Sequence, residues 1–205
     1  MKTLLITGGT GDLGAVVVKR LQRFYRCLIF YRSAESWSRL REEVGETQNV
    51  VGLQSFEDLT QVAPLFGVVH LAGGFASGGT PEDFQKMFDT NVMSAVHAIH
   101  AALPHIEKNG RIVAISAAAS LTKPAGLAAY NASKAGLNSY IETLAKELKD
   151  RSITANALLP TALDTPANRR GSERLVKREN VAEMIALLLS EQGGSITGQL
   201  IGMSA

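Results

Sequence analysis

Short apolar runs alternate with longer amphipathic segments along the chain. The apolar runs have the length of β-strands and lie at Leu4–Thr7, Cys27–Tyr31, Val50–Leu53, Val68–Ala72, Ile112–Ser116, Ile153–Leu159 and Gln199–Met203. Helical patterns lie between them, near residues 13–24, 34–43, 81–108, 130–150 and 179–191. Because strands that alternate with helices build βαβ units, the pattern predicts an α/β fold with a doubly wound parallel sheet. The third and fourth strands are so close in sequence that the helix between them must be short or irregular.

A glycine-rich loop follows the first predicted strand and leads into the first predicted helix. It contains Gly9-x-Gly11-x-x-Gly14, the spacing of a dinucleotide-binding fingerprint in the strand–turn–helix context that the fingerprint requires. Glycines let the backbone turn tightly and approach a pyrophosphate, whose charge is met by amides at the helix N-terminus. The carboxylate of Asp12 would repel a pyrophosphate, so we expect it to point away. The loop residues predicted to bind the cofactor are Gly8, Gly9, Thr10, Gly11, Asp12, Leu13 and Gly14.

A tyrosine and a lysine are spaced for proton transfer in the segment Tyr130-Asn131-Ala132-Ser133-Lys134. If the segment is helical, Tyr130 and Lys134 lie one turn apart on the same face. A phenol has a pKa of about 10, and a nearby ammonium lowers it because the ammonium favours the phenolate. The pair therefore predicts that Tyr130 is a general acid whose pKa is lowered by Lys134. Such pairs also occur by chance, and the glycine loop is what favours the catalytic interpretation.

The end of the second predicted strand, Phe30-Tyr31-Arg32-Ser33, should decide which nicotinamide cofactor binds. An acidic side chain at this place would hydrogen-bond the ribose 2′-hydroxyl of NADH. No Asp or Glu occurs there before Glu35, and Arg32 could form a charge-assisted bidentate contact with a 2′-phosphate. We therefore predict that NADPH binds at Arg32 and Ser33, with NADH as the alternative cofactor.

With these motifs the sequence resembles the short-chain dehydrogenase/reductase family over nearly all of its length. Further matches are Asn91 in a Thr-Asn-Val context, the run Gly110–Ser116, the segment from Pro160 to Thr165, and the closing stretch Thr197–Ile201. The resemblance implies a single Rossmann-type NAD(P)-binding domain over residues 1–205, with a loop at about 161–178 that covers the substrate. It also implies an NAD(P)-dependent oxidoreductase that acts on a small molecule.

The resemblance assigns roles to individual residues. Tyr130 would supply the proton, and Lys134 would tune Tyr130 and bind the nicotinamide ribose. Asn91 would bend a helix and hold a water in the proton relay, and Thr165 would bind the carboxamide. The other residues that the resemblance places at the cofactor are Ala72, Gly73, Gly74, Pro160, Thr161 and Leu163.

The family's catalytic serine is absent at the matching place, where this chain has Ala117. Side chains alternate faces along a strand, so the neighbouring Ser116 should point elsewhere unless the strand end is irregular. Ser116 is kept as a candidate catalytic residue on that condition. The sequence also suggests that Phe75, Leu121 and the loop at 161–178 line a small substrate pocket.

The alanine makes the chain similar to the dihydropteridine-reductase-like branch of the family. The run Ala72–Phe75 and the stretch Leu163–Arg169 match that branch as well. Two features differ, because that branch ends its second strand with an acid and prefers NADH, and it lacks the asparagine matched by Asn91.

Three functions are weighed on these residues. The first is an NADPH-preferring reductase of a small carbonyl, quinonoid or pterin-like substrate. The second is a catalytically weak nucleotide-binding regulator, favoured by the missing serine and opposed by Tyr130, Lys134 and Asn91. The third is an extended-type sugar epimerase or dehydratase, suggested by the glycine spacing alone. We expect no room for the substrate domain of that class in these 205 residues.

Composition limits the partners and the location that we expect. The 205 residues carry a net charge of +2, which is too small to favour nucleic acid or an anionic membrane. No apolar run is long enough to cross a membrane, no signal peptide is expected, and a single cysteine, Cys27, indicates the cytoplasm. His70 should be structural, and no carboxylate or cysteine completes a metal site with the other histidines. Apolar residues on several faces of the two longest predicted helices indicate a homodimer or homotetramer.

Overall fold

The computed structural model describes residues 1–45, 47–62, 64–170 and 174–205. Its strands are β1 (Lys2–Thr7), β2 (Tyr25–Phe30), β3 (Val50–Leu53), β4 (Leu65–His70), β5 (Ile106–Ile115), β6 (Thr154–Pro160) and β7 (Leu200–Met203). They form one sheet in the order β3-β2-β1-β4-β5-β6-β7, and all neighbouring strands run parallel. The predicted α/β fold with a seven-stranded parallel sheet is therefore confirmed.

Helices cover both faces of the sheet, as a parallel sheet requires. They are α1 (Asp12–Leu21), α2 (Ala34–Val44), α3 (Leu59–Val62), α4 (Pro81–Phe88), α5 (Ser94–Ala102), α6 (Ala119–Thr122), α7 (Ala128–Glu147) and α8 (Arg178–Leu189). Alternate side chains of β1 enter opposite cores: Leu4 and Ile6 pack with α1, α2 and α8, and Leu5 packs with α5 and α7. The sequence of short apolar runs thus becomes a sheet that is buried on both faces.

The crossover between β3 and β4 is short, as the sequence predicted. It consists of a 3₁₀ turn at Phe56–Asp58 and the single helical turn of α3. Phe56 stacks on Phe30 of β2 with ring centroids 4.2 Å apart, which holds the short crossover against the sheet. This contact places an aromatic ring near the carboxyl end of β2.

The helix predicted near 81–108 is present, but it is not a regular α-helix and it ends at His105. Helix α4 is followed by a π-helical segment at Asp89–Met93, in which the amide of Ser94 donates to the carbonyl of Asp89. Helix α5 then leads into a 3₁₀ turn at Leu103–His105 that contains Pro104, and a proline ends a helix because it lacks an amide hydrogen. Strand β5 begins immediately afterwards, earlier than predicted, with a register irregularity against β4.

Candidate active site

The candidate residues meet at the carboxyl ends of the strands, where β1 and β4 lie side by side and the strand order reverses. Ligands of doubly wound folds bind in the crevice at this point. Two clefts open there, of about 480 Å³ and about 640 Å³. Of the predicted residues, the first cleft is lined by Gly8, Thr10, Arg32, Ala72 and Gly73. The second cleft is lined by Leu13, Gly73, Gly74, Ser116, Tyr130, Lys134, Pro160, Thr161, Leu163 and Thr165.

The remaining predicted residues lie behind or beside the clefts. Among the described residues of that prediction, those that line neither cleft are Gly9, Gly11, Asp12, Gly14, Ser33 and Asn91. Gly73 lines both clefts, so one elongated ligand could extend from the first cleft into the second. A dinucleotide is a ligand of this elongated shape.

The glycine loop is closely packed on its inner side and open on its outer side. Gly8 has φ +71°, and a Cβ atom there would lie 2.6 Å from the carbonyl carbon of Leu71. A Cβ atom at Gly14 would lie 2.5 Å from the carbonyl group of Gly9. At Gly11 the nearest atom would be 3.5 Å away, an ordinary contact distance. The loop therefore needs glycine at two positions for its own packing and leaves its outer surface accessible to a ligand.

The first amides of α1 are available to an anion. Gly11 is the N-cap of α1, and among the described residues no side chain caps the helix there. The unpaired amides and the helix dipole favour negative charge at this end. A pyrophosphate fits this donor set, since it would supply the acceptors that a capping side chain otherwise provides.

Tyr130 and Lys134 lie on the first part of α7, one turn apart, and both line the second cleft. The ammonium of Lys134 donates to the carbonyl of Ile115 at 3.0 Å. Burial lowers the pKa of Lys134 to about 8. Burial also raises the pKa of Tyr130 above its usual value. The lowered pKa predicted for Tyr130 is therefore wrong for this structure, because loss of hydration disfavours the phenolate.

These two pKa directions suit a proton donor. A phenol with a raised pKa keeps its proton at neutral pH. Lys134, with a pKa of about 8, is mostly a cation at pH 7. If Tyr130 gives up its proton, the resulting phenolate has a buried ammonium one turn away to stabilise it. The arrangement can deliver one proton to a molecule in the second cleft.

Asn91 connects the turn after β4 to α7. It lies in the π-helical segment and is fully buried. Its Oδ1 accepts from the amide of Gly74 at 2.8 Å, and its Nδ2 donates to the Gly74 carbonyl and to Ser133 Oγ at 3.1 and 3.0 Å. Ser133 Oγ in turn donates to the Tyr130 carbonyl at 2.9 Å. The side chain of Asn91 thus fixes the relative positions of two walls of the second cleft.

The serines around Ala117 direct their hydroxyl groups to the protein. Ser116 is 3% exposed and donates to the backbone carbonyl of Lys134 at 3.3 Å. Ser120 donates to the carbonyl of Ala117 at 2.7 Å and accepts from Asn138 Nδ2 at 2.8 Å. Ala117 itself lines the second cleft with a methyl group. Both neighbouring hydroxyls therefore have backbone partners.

The end of β2 carries exposed polar residues beside the first cleft. Arg32 follows the strand, is exposed and lines the cleft. Ser33 is the N-cap of α2, where its hydroxyl accepts from the amide of Ser36 at 3.2 Å. Ser33 therefore shapes the start of α2, while the exposed Arg32 lies where it can reach a ligand in the cleft.

His70 is a buried structural residue, in agreement with the interpretation of the sequence. Its Nδ1 lies 2.7 Å from Thr7 Oγ1 and its Nε2 lies 3.4 Å from Ser94 Oγ. Burial, and then the charge of Lys134, lowers the pKa of His70 to about 3. The imidazole is therefore neutral at physiological pH and links β1, β4 and α5.

The loop predicted at 161–178 is partly described; residues 171–173 lie outside the described residues. Its base is closed by an isolated bridge between Leu163 and Val176, and Val176 is buried. The Asn168 amide group donates to the carbonyl of Leu163 at 3.0 Å, and both residues line the second cleft. The described part of the loop thus forms one wall of that cleft.

Several residues that line the clefts were not predicted from the sequence. In the first cleft these are Phe30, Tyr31, Phe56, Asp89, Thr90, Ser94 and His97. In the second cleft Leu127 and Pro124 form an apolar wall, whereas the predicted Leu121 is 60% exposed and does not line it. Phe75 does line it, with its ring edge-on to the Tyr130 ring at 5.0 Å between centroids. For Phe56, the available sequence signal was that it is an aromatic residue soon after the third strand.

Comparison with known proteins identifies the family. The family described as short chain dehydrogenase matches residues 2–175. This chain belongs to that family. The prediction of a short-chain dehydrogenase/reductase enzyme is thereby confirmed.

Curated relatives of this short-chain dehydrogenase carry several different names. The chain is 30% identical to an acetoacetyl-CoA reductase of Synechocystis sp. over 98% of its length and 93% of that protein. It is 29% identical to the 3-oxoacyl-(acyl-carrier-protein) reductase FabG of Rickettsia felis, over 98% of this chain and 94% of that protein. It is 30% identical to a dihydropteridine reductase of Dictyostelium discoideum, over 82% and 77%. The predicted resemblance to dihydropteridine reductases is thus one of several resemblances at about the same sequence identity.

A solved structure supports the fold of this short-chain dehydrogenase. A blue fluorescent protein from a metagenomic library, in complex with NADPH, is 27% identical, with a TM-score of 0.87 over 98% of this chain and 96% of that one. In the described part of this chain, no helix has the length and apolar character needed to span a membrane. No cluster of three or more potential metal ligands occurs among the described residues either.

Proposed function

We propose that this short-chain dehydrogenase is an NADPH-preferring reductase in which Tyr130 is the proton donor. The observation that carries the proposal is that Tyr130 and Lys134 line a cleft that shares Gly73 with the cleft beside the glycine loop. NADPH oxidation with a panel of acceptors, by the wild type and by a variant without the Tyr130 hydroxyl, tests the proposal. Complexes of similar structures with NADPH support this choice of cofactor.

The residues of the groove would hold NADPH from end to end. The amides after Gly11 and the loop Gly8–Gly14 would bind the pyrophosphate. The stacked rings of Phe30 and Phe56 would border the adenine in the first cleft. Pro160, Thr161, Leu163 and Thr165 would border the nicotinamide end, and Ala72, Gly73 and Gly74 would lie between the two ends. When bound, NADPH supplies the hydride.

The protein supplies the proton and the electrostatic environment. Tyr130, with its raised pKa, holds a proton at neutral pH and donates it to the substrate oxygen or nitrogen. Lys134 stabilises the phenolate that forms. Asn91 holds Gly74 and the start of α7 in fixed relative positions. Ser116 donates to the carbonyl of Lys134, and the proposal assigns the role of donor to the substrate to Tyr130.

The preferred substrate should be a conjugated acceptor such as a quinonoid pterin or a quinone. Hydride transfer to a simple ketone builds negative charge on one oxygen, and loss of one donor to that oxygen costs about 10²–10³-fold in rate. A conjugated acceptor spreads this charge over its own ring and needs fewer donors. The ring of Phe75, together with Pro124 and Leu127, offers such a molecule a flat apolar wall.

Cofactor choice is expected to depend on Arg32. The wild type should bind NADPH more tightly than NADH, and Arg32→Ala should lose about tenfold in NADPH affinity because a charge-assisted contact to the 2′-phosphate is removed. Titration of intrinsic fluorescence with both cofactors measures this. Equal affinities of the wild type for the two cofactors, or an unchanged NADPH affinity in the variant, would contradict the assignment.

The quaternary structure is expected to be a homodimer or homotetramer. Phe88 at the end of α4 and Met93 in the π-helical segment are partly exposed large apolar side chains on neighbouring turns. We propose that a second copy of this chain covers them, because exposure of apolar side chains to water is unfavourable. Light scattering at micromolar concentration should give a mass of two or four chains, and a monomer mass would contradict the proposal.

A regulator that binds the nucleotide without turnover is the second candidate. The alanine at position 117 favours it, since the cleft then lacks one hydroxyl. The retained Tyr130 and Lys134 oppose it, because binding alone does not need a buried phenol beside an ammonium. A protein that binds NADPH but oxidises it with none of the conjugated or simple acceptors would be this regulator.

A further inference from the structure

Arg39 is placed over the glycine loop by helix α2. It lies in the second turn of that helix, and its Nη2 donates to the backbone carbonyl of Thr10 at 3.3 Å. Thr10 and Arg32 both line the first cleft. Arg39 is not itself a lining residue of that cleft, but its guanidinium is held against Thr10, which is one.

The contact of Arg39 with Thr10 uses little of the hydrogen-bonding capacity of the guanidinium. A guanidinium has five N–H donors in a planar fork, and this contact uses one of them. Among the described residues, the Thr10 carbonyl is its hydrogen-bond partner. Glu35 lies one turn earlier on α2, yet the guanidinium of Arg39 donates to the loop carbonyl. The other N–H groups remain available to an anion that enters the first cleft.

Charge favours a phosphate monoester at this place. Such a group carries a charge of about −1.5 to −2 at neutral pH and accepts strongly at three oxygens. A charged phosphate oxygen is a better acceptor than a backbone carbonyl, and guanidinium groups bind phosphate through two parallel hydrogen bonds. Arg32 alone can satisfy part of this demand. Arg39, which contacts Thr10 of the same cleft from α2, can supply the remainder.

We propose that Arg39 is a second determinant of cofactor choice, which moves from the Thr10 carbonyl to the 2′-phosphate of NADPH. The inference rests on the proposed preference for NADPH and extends it from the strand end to helix α2. It assigns the discrimination between the two cofactors to a pair of arginines, Arg32 and Arg39. The alternative is that Arg39 only tethers the glycine loop.

A matched control exists on another helix that contacts the loop. Arg178, the first residue of α8, donates through Nη1 to the carbonyl of Asp12 at 2.9 Å. It is also an arginine that reaches a glycine-loop carbonyl from a neighbouring helix. Each substitution removes one arginine contact with a loop carbonyl. If loss of that contact alone changed the preference between cofactors, Arg39→Gln and Arg178→Gln should change it in the same way.

Calorimetric titration with cofactor fragments separates the two explanations. The probes are adenosine 2′,5′-bisphosphate, which carries the 2′-phosphate, and adenosine 5′-diphosphate, which lacks it. Arg39→Gln should weaken the first probe by about tenfold and leave the second unchanged, because only the first has the group that Arg39 binds. Arg178→Gln should leave the ratio of the two affinities at the wild-type value. Arg39→Lys, which keeps the charge and loses the fork, should lie between Arg39→Gln and the wild type.

The outcomes distinguish this inference from the proposed function. If the wild type prefers the 2′-phosphorylated probe and Arg39→Gln keeps the full preference, the Arg39 inference alone is overturned. An equal loss of preference in Arg178→Gln overturns it as well, in favour of the tether. If the wild type shows no preference for the phosphorylated probe, the proposed NADPH preference fails together with the inference. Thermal unfolding of each variant, compared with the wild type, shows that the affinities refer to folded protein.

Discussion

Replacement of Tyr130 by Phe should abolish most reductase activity and leave NADPH binding in place. The phenol hydroxyl is the one proton donor that the proposal assigns to the second cleft, and a positioned general acid contributes about 10²–10⁴-fold to a rate. The ring is kept in the variant, so its edge-on contact with Phe75 survives. NADPH oxidation with a quinone measures the loss, and fluorescence titration measures the retained affinity.

Tyr140 provides the control for the Tyr130 variant. It lies on the same helix, α7, and packs against the core outside both clefts. Tyr140→Phe should therefore turn over the substrate at the wild-type rate. If Tyr130→Phe keeps the wild-type rate, the proton comes from another source and the role given to Tyr130 is wrong.

Replacement of Gly14 by Ala should destabilise the protein strongly. The new methyl group would lie 2.5 Å from the carbonyl group of Gly9, and backbone atoms cannot move aside as a flexible side chain can. Overpacking of this kind costs about 3 kcal/mol, which for a chain of this size lowers the melting temperature by several degrees. Thermal unfolding without any cofactor measures the effect.

Gly11 is the matched position in the same loop. A Cβ atom there would lie 3.5 Å from the nearest atom, and the φ of −88° suits alanine. Gly11→Ala should unfold near the wild-type temperature. Its methyl group would instead occupy the outer surface of the loop, so any effect should appear in NADPH affinity. Equal melting temperatures for Gly14→Ala and the wild type would show that the packing argument is wrong.

The parallel sheet was predictable because its information is local. Each strand is a short apolar run, and each run is separated from the next by a helical pattern. The residues next to each other along the chain therefore suffice to predict the strands and their parallel direction. The π-helical segment at Asn91 was not predictable from the local pattern, although the family resemblance implies that Asn91 bends a helix. It depends on hydrogen bonds from Asn91 to Gly74 and Ser133, which lie in other elements. A helical periodicity near 81–108 contains no sign of those partners.

The candidate site shows the same limit. Tyr130 and Lys134 were found because both lie in one short motif. The direction of the Tyr130 pKa was missed because it depends on how deeply several elements bury the phenol. The first-cleft side chains of Phe56 and His97 come from separate elements and carry no shared motif. The sequence therefore predicted the residues of a single motif. It did not predict how deeply they are buried or which separate elements line the clefts.

The absent serine offers a second test of the proposed chemistry. Ala117→Ser would place a hydroxyl in the second cleft, where the wild type has a methyl group. We expect kcat/KM for a simple ketone to rise by about tenfold or more, since a second donor then meets the developing charge. The same variant should change quinone turnover much less. A similar gain for both substrates would contradict the idea that conjugation replaces the missing donor.

The most direct measurement is the kcat/KM of the wild type with NADPH for three acceptors: a quinone, a quinonoid dihydropterin and a simple ketone. The proposal predicts turnover of the conjugated acceptors and little of the ketone, because Tyr130 alone stabilises the charge that develops on the substrate. Robust turnover of the ketone with none of the quinonoid compounds would contradict it.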